Sequence, residues 1–378
     1  MQFEHLYIHI PFCFSKCDYC AFHSVTDRRN VISFFKKIER EFVSASTICN
    51  SLKTVYIGGG TPTSLSENEL EKLFHLIKKY FMLDTDCEIS IECNPETLTL
   101  SKLNIISAHV NRISIGVQSF NINHRKTIGR SGDIKNIYKS LELISASKIK
   151  NISSDFIYGI PGQTLLDFEA DINEINKFEM KHISAYSLTY EEGTKLAGAL
   201  LKETAVKEDI ELYVEKIFKK YGFSRYEISN FAKKGYECRH NYEIWFGSNY
   251  LGIGPTATSF DGINRWTEPM LNHWLNNLSP EIDEISVELR FKEIFIMGLR
   301  TVNGWRVVEN FSDVKTKIFS KLGNEVTINK AIWERIKNPL ISLQENKLIS
   351  FKKTSKLLIV KATKKGLLFW NEIASEII

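Results

Sequence analysis

Six short apolar runs alternate with longer stretches of helical periodicity over the first two hundred residues, and this rhythm most restricts the fold open to the chain. The apolar runs lie at 6–12, 54–57, 88–92, 112–118, 154–158 and 182–189, with helical patterns at 33–46, 66–80, 134–147 and 166–178 between them. Strands joined by helices in this order form a parallel sheet through right-handed crossovers. Alternation along the strands puts Ser90 with Glu92, and Ser114 with Gly116 and Gln118, on one face. A closed, filled barrel would carry bulky apolar side chains there. Small and polar residues instead predict an α/β fold of partial (β/α)6 barrel type, with an interior cavity that receives a ligand.

The rhythm ends near Thr194. A helix is predicted over 207–221, then the segment YEISNFA and the glycine-rich LGIGPTATSF. Further on, helices at 284–299 and 330–346 precede two short strands within 348–362, joined by a Lys-Lys-Thr-Ser turn, and a last helix; this order reads as a winged-helix-like α+β module. The expected division is 1–200 for the barrel, 201–285 for its extension and 286–378 for the C-terminal module. Residues 331–378 hold nine Lys or Arg against four acids. Without an evident basic recognition helix, no nucleic-acid partner is expected. The 378 residues, 43% of them hydrophobic, suffice for a large core. No apolar run is long enough to span a bilayer, and the first residues lack the basic-then-apolar order of a secretory signal, so the cytoplasm is the expected compartment.

Seven cysteines (Cys13, Cys17, Cys20, Cys49, Cys87, Cys93 and Cys238) are an odd number, which argues for thiols rather than a disulfide framework. Three crowd into HIPFCFSKCDYC, a C-x3-C-x2-C arrangement directly after the first predicted strand. Three cysteine ligands on a four-iron cluster would leave one iron open to an exogenous ligand. The alternative is zinc, for which His23 is the nearest candidate fourth ligand. The other four cysteines read as packing residues, with Cys93 alone expected to approach the site, through its neighbour Glu92.

The cysteine spacing, followed by Gly58-Gly59-Gly60-Thr61-Pro62, resembles the radical S-adenosylmethionine superfamily. More narrowly, YIHIPFC, IGGGTPT, IECNP, GVQSF, DFIYGIPGQT, YEISNFA, HNYEIW and YLGIGPTA resemble the oxygen-independent coproporphyrinogen oxidases and their relatives, the heme chaperones. The resemblance implies that Cys13, Cys17 and Cys20 hold a [4Fe-4S] cluster whose open iron is chelated by S-adenosylmethionine, and that an electron from the cluster cleaves the sulfonium to a 5′-deoxyadenosyl radical. It implies that Tyr7 and Tyr19 contact this cofactor near the cluster, that Gly59, Gly60 and Thr61 line its methionine end, and that Glu92, Gln118, Arg130 and Asp155 hydrogen-bond its ribose and carboxylate. A carboxylate can accept from two ribose hydroxyls and Arg130 can pair bidentately with a carboxylate. The alternative makes Glu92 and Arg130 partners in a structural ion pair.

Three features separate the branches of this family. Cys20-Ala21-Phe22 lacks the further cysteine that the oxidases share two residues after the third ligand. Only six residues precede Tyr7, where the oxidases have an extension. The segment Cys238-Arg239-His240-Asn241-Tyr242-Glu243-Ile244-Trp245 resembles the chaperone pattern H-N-x-x-Y-W, with Ile244 where tyrosine is expected. The resemblance therefore implies a HemW-type heme chaperone with His240 beside heme, imidazole being a common axial ligand; the alternative is a histidine that caps a helix or is hydrogen-bonded in the core, and His9, just before the cluster loop, is expected to line the cavity. The implied partners are heme, heme-acceptor proteins such as membrane respiratory enzymes, and an electron donor, with the protein peripheral at the membrane during delivery. The alternative function is oxidative decarboxylation of coproporphyrinogen.

Overall fold

The computed structural model describes residues 2–130, 132–197, 207–308, 315–320, 325–353 and 357–378. Six parallel strands form its centre: β1 (Phe3–Ile10), β2 (Cys49–Gly59), β3 (Leu83–Cys93), β4 (Arg112–Gln118), β5 (Asn151–Tyr158) and β6 (His182–Ser187). Helices Val31–Ser46, Glu67–Tyr80, Leu100–Ser107, Ile134–Ser145 and Leu165–Ile175 make the crossovers. Local chemistry fixes their starts. Ser66 caps its helix reciprocally with Glu69, and Thr164 does the same with Asp167.

The sheet continues past both edges of the parallel set to twelve strands, with strand Tyr250–Ile253 parallel to β1 on one side and strand Asn230–Ala232 antiparallel to β6 on the other. The end strands do not pair with one another, so the barrel is partial, as the strand polarity predicts. Between the strands and the outer helices lies one apolar cluster that includes Leu6, Ile8, Val55, Ile57, Ile91, Ile113, Ile115 and Phe156. The intervening positions face inward and stay polar. Ser114 Oγ donates to Asp155 across β4 and β5 at 3.0 and 3.2 Å, and Ser153 Oγ meets His182 Nδ1 at 2.8 Å.

The C-terminal module differs from the expected two-stranded wing. It carries a five-stranded antiparallel sheet, with Trp305–Val308, Lys315–Phe319 and Glu325–Asn329 added to the hairpin Ile349–Lys353 and Leu358–Ala362. The Lys-Lys-Thr-Ser turn of that hairpin lies partly outside the described residues. Helices Val287–Leu299, Lys330–Glu345 and Trp370–Ile377 belong to the same module.

A second apolar cluster joins this module to the segment after the barrel, uniting Tyr226, Tyr242, Trp245 and Phe246 with Phe295, Trp305, Trp333 and Ile336. Trp305 is its pivot. Its ring stacks on Phe295 and meets Phe246 edge-on at 4.9 Å, its Nε1 donates to the Phe295 carbonyl at 2.7 Å, and Gly298 leaves room where a Cβ would collide with the indole. Trp305→Ala is expected to cost about 3–5 kcal/mol, measured as a lowered urea midpoint. A loss under about 1 kcal/mol would show that the two halves of this cluster are not energetically joined.

Candidate functional site

The three clustered cysteines sit in the loop leaving β1, at the mouth of the barrel, and all three are partly exposed. Backbone hydrogen bonds hold the loop: Cys13 N–H donates to Val25 O at 2.9 Å, Cys20 N–H to Cys17 O at 3.2 Å and Asp18 N–H to Ile128 O at 3.2 Å. Burial pushes the Cys20 thiol up, and the nearby Cys17 and Cys13 add to the shift. Among the described residues, no three His, Cys, Asp or Glu side chains gather as one metal ion requires. In a four-iron cube each thiolate binds a different iron, so the sulfurs stand apart. His23, the candidate zinc ligand, is committed elsewhere: its Nε2 accepts the Leu271 N–H at 3.1 Å.

The triple glycine ends β2 directly beneath this loop. Gly59 has φ +107°, and a Cβ there would lie 2.7 Å from the His9 ring. At Gly60 a Cβ would stand 2.8 Å from the Phe12 carbonyl and 3.0 Å from Cys13 Sγ, so glycine keeps open the space beside that sulfur. Thr61 closes the turn, its N–H donating to Phe12 O at 2.8 Å and its hydroxyl 3.5 Å from Cys13 Sγ.

Around this mouth the structure gathers most of the residues singled out in the sequence. Arg130 donates from Nη2 to Gly116 O at 2.7 Å and from Nη1 to Cys17 Sγ at 3.3 Å, while its Nε is buried with no hydrogen-bond partner. Gln118 ends β4 with φ +68°, a strained position for a side chain that is not glycine. Glu92 accepts from the Tyr56 hydroxyl at 3.0 Å and the Gly59 N–H at 3.2 Å. Glu92 and Arg130 therefore have separate partners and form no structural ion pair with each other. Burial, then the neighbouring Asp155, push the Glu92 carboxyl up to about 7. Burial likewise raises Asp155. Tyr7 reaches His9 Nδ1 at 3.2 Å, and Tyr19 packs against the small apolar cluster of Ile128, Ile157, Ile160, Leu188 and Leu196.

One expectation changes. Cys93 does not follow Glu92 toward the site: strand alternation turns it outward into the apolar layer beneath the helices, where burial pushes its thiol up to about 12. His240 lies at the opposite end of the barrel interior from the cysteine loop. Only 2% exposed, it sits in helix Arg239–Trp245 with Nδ1 2.7 Å from Thr54 Oγ1 and its ring stacked on Tyr56. His9 is buried too, with Nε2 meeting the His23 carbonyl at 3.0 Å.

Sequence reasoning passed over the inward residues of this lower layer: Thr54, Tyr56, Glu88 and Arg112. The signal was available, since Thr54 and Tyr56 share a strand face with Gly58. The Glu88 carboxylate accepts the N–H groups of Arg239 and His240, each at 3.1 Å. Arg112 is 2% exposed, and its Nε and Nη1, like Ser90 Oγ, are buried without a hydrogen-bond partner.

The fold and this mouth together define a radical SAM protein, and the pattern of the Radical SAM superfamily matches residues 7–175. A solved structure with the same fold is coproporphyrinogen III oxidase (HemN) from Escherichia coli, at TM-score 0.80 and 20% identity over 98% of this chain and 89% of that one. The chain is 35% identical to the heme chaperone HemW of Bacillus subtilis over 79% of this chain and 83% of the relative. It is 33% identical to that of Lactococcus lactis over 85% and 88%. The chain belongs to the HemW heme-chaperone family.

The buried imidazoles contribute a term to apo-protein stability that falls with acid. Burial pulls His9 down to about 4 and His240 down to about 3, against 6.5 in the unfolded chain. Above pH 6.5 neither state is charged and there is no penalty. As pH falls below 6.5 the unfolded state takes up protons that the native state refuses, costing about 2 kcal/mol per histidine at pH 5. Glu92, and Glu41 held up to about 7 by burial, carry the opposite sign over this range, so the histidine contribution is read by difference: the loss of unfolding free energy between pH 7 and pH 5 should be about 2 kcal/mol smaller in His240→Gln than in the unsubstituted chain, and an equal loss would place that ring in contact with water.

Proposed function

We propose that this chain is a heme chaperone that binds heme, a [4Fe-4S] cluster and S-adenosylmethionine, and delivers heme to acceptor proteins. The likeness to named heme chaperones, which spans more than four fifths of the relatives from Bacillus subtilis and Lactococcus lactis, carries this reading. Cys13, Cys17 and Cys20 supply three thiolates to the cluster, and the space kept by Gly60 beside Cys13 suits a ligand at the remaining iron. The reduced cluster, when bound, supplies the electron for reductive cleavage of the sulfonium.

The chain's own groups bind and orient. Arg130 has an unused buried Nε–H to offer a carboxylate, on a guanidinium already anchored through Nη2 on Gly116. Glu92 and Asp155, held by Tyr56 and Ser114, present acceptors to ribose hydroxyls. Gly59, Gly60 and Thr61 line the methionine end, Gln118 joins the groups that hydrogen-bond the ribose and carboxylate, and Tyr7 and Tyr19 contact the cofactor near the cluster. For heme, His240 can reach iron only if helix Arg239–Trp245 moves, because its imidazole is enclosed by Thr54 and Tyr56. The acceptors we favour are membrane respiratory enzymes, with a separate protein as electron donor. No helix among the described residues is long and apolar enough to cross a membrane, so contact with such an acceptor would be peripheral.

Anaerobic reconstitution with iron and sulfide, then heme titration and a coproporphyrinogen turnover assay with reductant and S-adenosylmethionine, test the reading. Heme binding without protoporphyrinogen formation is expected; sustained conversion would make the protein an oxidase. Cys17→Ala should abolish the cluster's visible absorbance while leaving heme titration measurable.

Glu92 adds a pH signature. Its raised value means that a fraction is protonated near neutrality, and only the carboxylate accepts two hydroxyls. Affinity for S-adenosylmethionine should therefore weaken as pH falls through about 7, with proton release on binding visible by calorimetry in buffers of different ionisation enthalpy. A flat profile from pH 6 to 8 would remove Glu92 from the binding step.

A further inference from the structure

Three rings stand in a column inside the barrel. Tyr56 is stacked between Tyr7 (centroids 6.1 Å apart, planes at 29°) and His240 (5.3 Å, 30°). At its upper end Tyr56 donates its hydroxyl to Glu92. At the lower end the His240 imidazole is fixed twice over. Its Nδ1 meets Thr54 Oγ1 at 2.7 Å, and Thr54 Oγ1 in turn meets His5 Nδ1 at 2.9 Å. Its backbone N–H donates to Glu88, which also takes the N–H of Arg239. Thr54, Tyr56 and Gly58 share one face of β2, so the residue anchoring the imidazole and the residue resting on it belong to the same rigid strand.

We infer that His240 and Tyr56 are positioning residues for the carboxylate that receives the cofactor: the imidazole fixes the phenol ring, and the phenol hydroxyl fixes Glu92. This assigns the histidine of the HNYEIW segment to the S-adenosylmethionine site and not to heme iron, and it rests on the reading that Glu92 receives that cofactor. A carboxylate withdrawn from water is aimed by its donors, and Glu92 has one from Tyr56 and one from Gly59. The Gly59 N–H belongs to the backbone, whereas the phenol must be held by what packs on its two faces. Ordering the receiving carboxylate before the ligand arrives removes that entropy cost from binding. The space above Gly58 is equally constrained, since a Cβ there would stand 3.0 Å from both the Glu92 carboxyl and the Tyr56 ring.

The test uses the full chain, anaerobically reconstituted, with S-adenosylmethionine and heme titrated separately. Cofactor affinity is read from the change in the reduced cluster's EPR signal and heme affinity from the Soret band. Tyr56→Phe keeps the stack and removes one oxygen; it should weaken S-adenosylmethionine by about tenfold and move the pH below which affinity drops upward, because the lost donor favoured the ionised carboxylate. His240→Ala should weaken the cofactor by several fold, with His240→Phe restoring most of the loss by replacing the ring, and heme affinity should stay within about twofold throughout. Loss of heme affinity in both His240 variants, with cofactor affinity intact, would overturn the inference and make His240 a heme residue. Glu92→Gln separates the two levels. If it weakens the cofactor while Tyr56→Phe does not, the column has no positioning role; if Glu92→Gln itself changes nothing, the placement of the cofactor fails and the inference with it. Should His240→Ala fail to fold, the single-atom Tyr56→Phe variant decides alone.

Discussion

A carboxylate taken out of water must be given donors, and that requirement organises the interior of this barrel. Among the described residues, three acids inside it show this. Glu88 takes two backbone N–H groups from the start of helix Arg239–Trp245, Glu92 takes a phenol and a glycine N–H, and Asp155 takes the Ser114 hydroxyl. Each donor comes from a neighbouring strand or from the segment that closes the barrel floor, so satisfying the acids also fixes the register of the elements around them. The outer face of the same strands is mainly apolar, with Ser154 on β5 an exception. The alternation yields a barrel that is dry outside and polar within, the reverse of a filled one.

Much of this was legible in the sequence because it rests on period and spacing. The six parallel strands follow from the βα rhythm, and the polar lumen from the two-residue period that aligns Ser90 with Glu92 and Ser114 with Gly116. The cysteine loop and triple glycine meet because β1 and β2 pair in parallel, His9 opposite Gly58 and Ile10 opposite Gly59. What escaped depends on contacts distant in sequence. Thr54 and His240 are 186 positions apart, and nothing local to either announces the hydrogen bond between them. Cys93 was misjudged by adjacency, since in a strand the next residue points the other way. Strands such as Trp305–Val308 and Arg265–Thr267 are only a few residues long, too short for a period to register.

The C-terminal sheet shows the same limit from another side. Its hairpin was readable from two apolar runs and a polar turn, but the three further strands take their stability from the cluster around Trp305 more than from their own propensity. That cluster also explains why HNYEIW is aromatic. Tyr242 and Trp245 face the module, with Arg300 over the Trp245 ring and Asn303 bonded to the Tyr242 hydroxyl, whereas His240 on the same helix faces the barrel. Ile244, where the resemblance expects tyrosine, belongs to neither set of contacts.

Helix Arg239–Trp245 is seven residues long, barely two turns. One of its faces is glued to the C-terminal module and the other touches the ring column below Glu92. So short a rod has no slack to absorb a displacement at either end. A protein that docks on the module and shifts this helix would thereby alter cofactor affinity, and the cofactor would alter docking by the same factor, since linkage of this kind is reciprocal. Docking and cofactor occupancy are then two readings of one mechanical setting.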